Sequence, residues 1–327
     1  MPKSPYIVCE LCPKSCRLSE GYSGDCRARI VLDGELRAAT YGRPCTVHID
    51  PIEKKPLFHF LPSTRVFSIA TAGCNLHFKF CQNWNISQIA PQDIKSVSLP
   101  PEQVVDLATA QGCRSVAYTY TDPVIYFEYC LDTSALARDR GLKNVTVTAG
   151  YINRKPMEML CKVIDASNTD VKAFSDVFYR DMCGGTLKPV LDGMVLMKER
   201  GVWLEVTNLI IPTLNDDLSM VRRLCRWIAA NLGAETPVHF NRFYPMYKIR
   251  NLPPTPVDVL LRIREEALEL GLSFVYVGNV LAGDASNTLC PKDGELLVRR
   301  RGFSVIENRL QEGKCPKCGT KIPGVWS

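Results

Sequence analysis

From residue 66 onward, short apolar runs alternate with longer stretches in which apolar residues recur every three to four positions. The first pattern is that of a strand covered on both faces, and the second that of a helix with one face on a core. The spacing predicts strands over 66–70, 115–121, 144–148, 169–173, 202–211, 237–243 and 274–277. Between them it predicts helices over 101–111, 123–140, 155–164, 176–182, 187–200, 216–232 and 257–270. The first helix opens at Pro101 and stops before Gly112, the expected asymmetry of helix ends. Six or seven βα units in series predict an α/β fold with a parallel sheet, a partial or full (β/α) barrel; a doubly wound open sheet competes with it. In both, functional groups gather in the loops after the carboxyl ends of the strands.

The two ends of the chain break this rhythm. Residues 1–62 are rich in Cys, Gly and charge, with short strand-like runs at 7–9, 29–32 and 46–49, and predict a small Cys-rich lobe. Residues 63–283 form the barrel, and 284–327 a Cys-bearing tail with a strand pair at 295–298 and 303–306.

Composition changes the picture mainly through cysteine, with fifteen in 327 residues. The first twelve residues lack the apolar segment of a secretory signal. No apolar run approaches the roughly 18 residues a bilayer span needs; 274–283 is the most apolar and is too short. A cytoplasmic chain with reduced thiols available for metal is the expectation. The net charge of +6 is mild and argues against nucleic acid as partner.

Cys9, Cys12, Cys16 and Cys26 are spaced C-x2-C-x3-C-x9-C, which suits either a closed zinc site or an auxiliary 4Fe–4S cluster. At the other end, Cys290-Pro-Lys-Asp293 and Cys315-Pro-Lys-Cys318 look like the two knuckles of a zinc ribbon, with Asp293 in the place of a cysteine. A carboxylate can ligate zinc, so the expected site is Cys3Asp. Cys45, Cys113, Cys130, Cys161, Cys183 and Cys225 are scattered and predict inert thiols.

Directly after the first barrel strand runs Thr71-Ala-Gly-Cys74-Asn-Leu-His77-Phe78-Lys-Phe80-Cys81-Gln-Asn83-Trp84. This stretch resembles the signature of the radical S-adenosylmethionine (SAM) enzymes, in which three cysteines spaced C-x3-C-x2-C hold a 4Fe–4S cluster. Phe80 matches the aromatic residue that precedes the last cysteine. The middle position departs from the pattern: it is Phe78, which leaves Cys74 and Cys81 as a pair. His77 is one residue away, and imidazole can ligate iron.

The resemblance covers nearly the whole chain and is strongest to the AmmeMemoRadiSam-system enzymes, relatives of pyruvate formate-lyase activating enzymes. It is carried by Cys9-Glu-Leu-Cys12-Pro, by residues 48–62, by Gly73-Cys-Asn-Leu76, by Asp170-Val-Lys-Ala-Phe-Ser175, by Trp203-Leu-Glu-Val-Thr207 and by 318–326. It implies a SAM pocket with Asp122 at the amino group, Thr148 near the ribose, Lys172 at the carboxylate, and Thr207 and Asn241 as further contacts. It implies reductive cleavage of SAM to a 5′-deoxyadenosyl radical that takes hydrogen from a small molecule or a protein, and an electron donor such as flavodoxin or ferredoxin. The alternative is a non-catalytic descendant that binds SAM or metal, since Phe78 removes a cluster ligand.

Overall fold

The computed structural model describes residues 6–327; the first five residues of the segment read for a secretory signal lie outside the described residues. Two small antiparallel pairs open the chain, β1 (Ile7–Val8) with β2 (Arg17–Leu18) and β3 (Arg29–Leu32) with β4 (Glu35–Ala38). The central sheet follows as β5 (Thr46–Pro51), β6 (Arg65–Ala70), β7 (Ser115–Tyr118), β8 (Lys143–Thr148), β9 (Ala166–Asp170), β10 (Trp203–Ile210), β11 (Val238–Arg242) and β12 (Val275–Gly278). These eight strands lie side by side in chain order, with β5 and β12 at the edges. A doubly wound sheet reverses its strand order partway, and this one does not. Strands β6 to β12 are parallel, and β5 runs antiparallel against β6. The sheet is therefore a partial barrel with an antiparallel edge.

Among the described residues eight α-helices accompany it: α1 (Trp84–Ser87), α2 (Pro101–Ala110), α3 (Phe127–Asp139), α4 (Arg154–Leu160), α5 (Asp176–Phe178), α6 (Lys188–Glu199), α7 (Leu218–Asn231) and α8 (Val257–Glu269). Helix α7 shows why the periodicity was readable. Asp217 caps the amides of Ser219 and Met220, and Val221, Leu224, Cys225 and Ile228 form one buried stripe. Among the described residues no helix is long and apolar enough to cross a membrane.

Several elements differ from expectation: β7 stops at Tyr118 rather than at 121, α4 at Leu160 rather than at 164, and the helix expected from 123 opens with a 3-10 turn before α3. The run at 46–49 is a six-residue strand of the main sheet. Strand β9 ends at Asp170, three residues earlier than the sequence pattern suggests, because its Ser-Asn-Thr centre is polar yet fully buried. The helix expected over 176–182 is one α-turn followed by a π-turn, Tyr179–Cys183, stopped at Gly184 in the left-handed region.

Residues 52–61 run as a strap against the sheet strands and plug the barrel. The Pro56 carbonyl accepts from Asn168 of β9 at 2.8 Å. Glu205 of β10, fully buried, accepts from the amides of Phe58 (3.0 Å) and His59 (2.8 Å), from the Trp203 indole (3.1 Å) and from His239 Nε2 (2.7 Å). Burial pushes the Glu205 carboxyl up, but the bond and charge of His239 outweigh it and hold it below the usual range. The chain's end latches the strap: the Leu61 amide donates to Val325 O, and the Val325 amide donates to His59 O.

His59 Nδ1 lies 2.7 Å from Pro323 O, and Nε2 lies 2.5 Å from the Tyr276 hydroxyl. Burial lowers its pKa to about 4. The unfolded chain takes up this proton near pH 6.5 and the folded chain does not, so stability is complete above about 6.5 and falls as the pH drops toward 4, by up to about 3 kcal/mol. Urea midpoints at pH 7 and pH 5 should diverge in the wild type and draw together in His59→Gln. An unchanged pH slope in that variant would refute the assignment.

Candidate active site at the carboxyl ends of the strands

The loops after β6 to β11 surround a cavity of about 360 Å³, within the range of small-molecule sites. Cys74, Phe80, Cys81, Asp122, Thr148, Lys172, Thr207 and Asn241 all line it. Eight residues selected from strand ends and the loops after them, spread over more than 160 positions, thus converge on one place. Phe78 lines it as well, and His77 does not.

Asp122 follows β7 and is buried. One oxygen caps the short helix Pro123–Tyr126 through the Val124 amide at 3.1 Å. The other accepts from the Thr148 hydroxyl and the Ala149 amide, both at 2.9 Å. Burial raises its pKa despite these bonds. It is thus both a helix cap and a cavity carboxylate, and it ties the β7 and β8 loops together. Thr148 in turn accepts from the Gly150 amide at 2.9 Å, and Gly150 has a positive φ of 65°.

Lys172 lies two residues beyond β9, its Nζ 3.0 Å from Asp170 Oδ2 and 5.1 Å from the centre of the Phe78 ring. That ring stacks on Phe80 with centroids 5.4 Å apart. Thr207 donates to Asn168 Oδ1 at 2.8 Å. The Asn241 amide lies where a Cβ on Gly278 would collide with it, so Gly278 makes room for it.

Several cavity residues escaped the sequence reading. Lys55, from the strap, supplies part of the floor, with Nζ 2.6 Å from Asp50 and 4.3 Å from the Tyr120 ring centre. Burial pushes the Asp50 carboxyl up, but hydrogen bonds from Lys54, Lys55 and Tyr120 outweigh it and hold the carboxyl below its usual range. Tyr120 has a φ of 63°, rare for an aromatic residue, and its carbonyl accepts from Asn83. Phe303, at the tip of a hairpin in the tail, reaches the same cavity. A larger recess adjoins, between the end of β12 and the tail, and shares Gln82, Asn241, Asn279 and Phe303 with the first.

Whether the central loop suits a three-thiolate cluster is decided by its donors. Cys74 and Cys81 are in place; burial pushes the Cys74 thiol up to about 12, so a metal must displace its proton on binding. Cys81 Sγ lies 3.3 Å from the Ser87 hydroxyl. The third position offers a phenyl ring. The neighbouring imidazole cannot replace it: His77 Nδ1 is 2.7 Å from Gln88 Oε1 and Nε2 is 2.7 Å from Asp25. Its backbone is held too, since the His77 amide donates to Cys183 O and the Lys79 amide to Met182 O. The π-turn thus clamps the loop. The donor set fits two ligands and not three.

The tail forms a three-stranded antiparallel sheet, β13 (Thr288–Leu289), β14 (Leu296–Arg301) and β15 (Ser304–Asn308). Beside it the ligand atoms of Cys290, Asp293, Cys315 and Cys318 all lie within 4.8 Å of one another. The amides of Gly294 and Gly319 close the two knuckles on the carbonyls of Cys290 and Cys315. This group can hold a metal ion. The four N-terminal cysteines line a separate small cavity.

Residues 68–228 match the Radical SAM superfamily. An uncharacterized protein of Methanocaldococcus jannaschii is 44% identical over 318 residues, covering 97% of this chain and 95% of that one. The pyruvate formate-lyase-activating enzyme of Clostridium pasteurianum is 24% identical over 162 residues, covering 48% of this chain and 66% of that enzyme. Among solved structures, Streptococcus suis SuiB bound to S-adenosylmethionine superposes with a TM-score of 0.53 at 12% identity, over 72% of this chain and 54% of that one, a likeness of fold alone.

Proposed function

We propose that this chain, which belongs to the radical SAM superfamily and is similar to the pyruvate formate-lyase-activating enzymes, binds S-adenosylmethionine in the strand-end cavity and, with Phe78 in its cluster loop, does not cleave it. The observation that carries the first half is the convergence of Asp122, Thr148, Lys172, Thr207 and Asn241 on one cavity. A zwitterionic amino acid needs a cation and an anion in a site sheltered from water. Lys172 supplies the first for the carboxylate and Asp122 the second for the amino group. Thr148 serves the ribose, and Thr207 and Asn241 the remaining polar edge.

The second half rests on the donor count. In this superfamily a 4Fe–4S cluster supplies the electron that breaks the sulfonium bond. Cys74 and Cys81 would be two of its ligands here, and Phe78 withholds the third. The radical-generating, activating-type enzyme is the reading for a loop with three thiolates. In that form a flavodoxin or ferredoxin donates the electron, and a small-molecule or protein substrate occupies the adjoining recess. The segments at 48–62 and 203–207, which resemble those of the AmmeMemoRadiSam-system enzymes, are consistent with this reading. Fifteen free cysteines suit the reducing cytoplasm, and the Cys3Asp group in the tail suits a structural zinc.

Calorimetric titration of the wild type with SAM should give saturable binding, weakened at least tenfold in Lys172→Ala. A charge-assisted hydrogen bond contributes about 1.5–3 kcal/mol, which matches that factor. No saturable heat, or an unaltered affinity in the variant, would remove the SAM reading. 5′-Deoxyadenosine released by the reconstituted wild type would instead remove the claim that Phe78 disables cleavage.

A further inference from the structure

Cys9, Cys12 and Cys16 lie in the loop joining β1 to β2, and Cys26 lies just before β3. The loop is closed by the Cys9 amide on Cys16 O at 2.9 Å and the Ser15 amide on Cys12 O at 3.1 Å. Ser15 takes a positive φ of 46°, which turns the chain back between the second and third cysteines. Cys9, Cys12 and Cys26 are buried, and Cys16 sits at the rim. All four face one enclosed cavity, whose wall also includes Arg29 and Asn75.

The two terminal cysteine sets differ in a way that bears on their ligands. A single zinc holds each sulfur at about 2.3 Å, so its four ligand atoms crowd together. The tail set does this, with every ligand atom within 4.8 Å of the others, and among the described residues it alone forms such a group. The N-terminal thiols stand around a cavity instead. The cavity is about 20 Å³, and the thiols around it are spaced too widely to form such a group; a cubane separates its thiolates in the same sense, by irons and sulfides.

A second observation concerns charge. The Arg29 guanidinium is 4% exposed. Its two terminal nitrogens bind Glu128, and its Nε–H, on a residue lining the cavity, is a buried donor with no protein partner. Donors of this kind satisfy the sulfurs of an iron–sulfur cluster and tune its potential. Lys14, paired with Asp25 at 2.6 Å, also lines the cavity.

We propose that the N-terminal cage is an iron–sulfur site in its own right, binding a 4Fe–4S cluster through Cys9, Cys12, Cys16 and Cys26. Its position ties it to the active site. Asn75 lines the cage while the adjacent Cys74 lines the strand-end cavity. Gly73 packs on the Cys26 carbonyl so closely that any side chain there would collide with it. A redox centre in the cage stands between solvent and Cys74, on the route of an electron from a small donor protein. This inference is independent of SAM binding and of Phe78.

The test is anaerobic reconstitution of the full chain with iron and sulfide, followed by counts of iron, sulfide and zinc. The wild type should hold about four irons and give the signal of a reduced 4Fe–4S cluster with dithionite. Cys74→Ser with Cys81→Ser should keep all of that iron. Cys9→Ser with Cys26→Ser should lose it while zinc in the tail stays at about one per chain. If that pair fails to fold, the rim variant Cys16→Ser should still alter the cluster's spectrum. Iron that follows Cys74 and Cys81 instead, or a second zinc with no iron in the cage, would overturn the proposal. The SAM titration is read separately, so either idea can fail alone.

Discussion

Phe78→Cys is expected to take up about four irons more than the wild type and to release 5′-deoxyadenosine from SAM where the parent releases none. The change restores C-x3-C-x2-C between Cys74 and Cys81 without touching any other cavity residue. The site around it is already arranged: Phe80 stacks on the ring that would be removed, and the π-turn holds the loop backbone at His77 and Lys79. Lys172 would lose its contact with the Phe78 ring but keep Asp170 at 3.0 Å. Phe78 is only partly buried, so the stability cost should fall below the roughly 3–5 kcal/mol of emptying a fully buried phenyl site. Iron counting and product chromatography on parallel samples decide the matter. Equal iron in both proteins would mean that the loop's geometry, and not its missing thiol, keeps the cluster out.

Glu205→Ala should lower stability by about 3–5 kcal/mol, the penalty for breaking a buried charged pair and stranding its partners. The Phe58 and His59 amides, the Trp203 indole and His239 would all lose their acceptor at once. His59 and His239 are buried with Glu205 and have no water to turn to, while Trp203 is only partly buried. The strap should loosen first, seen as faster amide exchange at Phe58 and His59. SAM affinity should fall with it, since Lys54, Lys55 and Pro56 line the cavity above. A urea midpoint within about 1 kcal/mol of wild type would show that the strap is held by packing rather than by this carboxylate.

Most of the barrel was readable because its punctuation is local. Pro101 and Gly112 bracket α2, and the stripe of α7 repeats at helical spacing. The cavity lies at the strand ends, so Asp122, Thr148 and Lys172 could be picked as lining residues from the ends of β7, β8 and β9 and the loops after them. The failures have a common cause, which is that the deciding contact is distant in sequence. Strand β9 is polar because Asn168 and Thr207 satisfy each other across the sheet. Lys55 reads as a surface lysine until Asp50 and Tyr120 are seen around it. His77 looks like a spare iron ligand, and only the positions of Asp25 and Gln88 show that both nitrogens are engaged. Phe303 reaches the cavity from a tail whose spacing speaks only of metal.

The latch between His59 and the residues around Val325 joins positions 264 apart along the chain at its Pro323 contact. A ribosome releases the strap long before it releases the tail. During synthesis the barrel strands can therefore pair while the strap beneath them has no lock, and the floor of the strand-end cavity is secured only after Pro323 to Val325 have left the exit tunnel. Fastening of the strap is thus expected to wait on the synthesis of residues 323–325. A chain cut just before Pro323 would carry every cavity residue and still present them over an unfastened base.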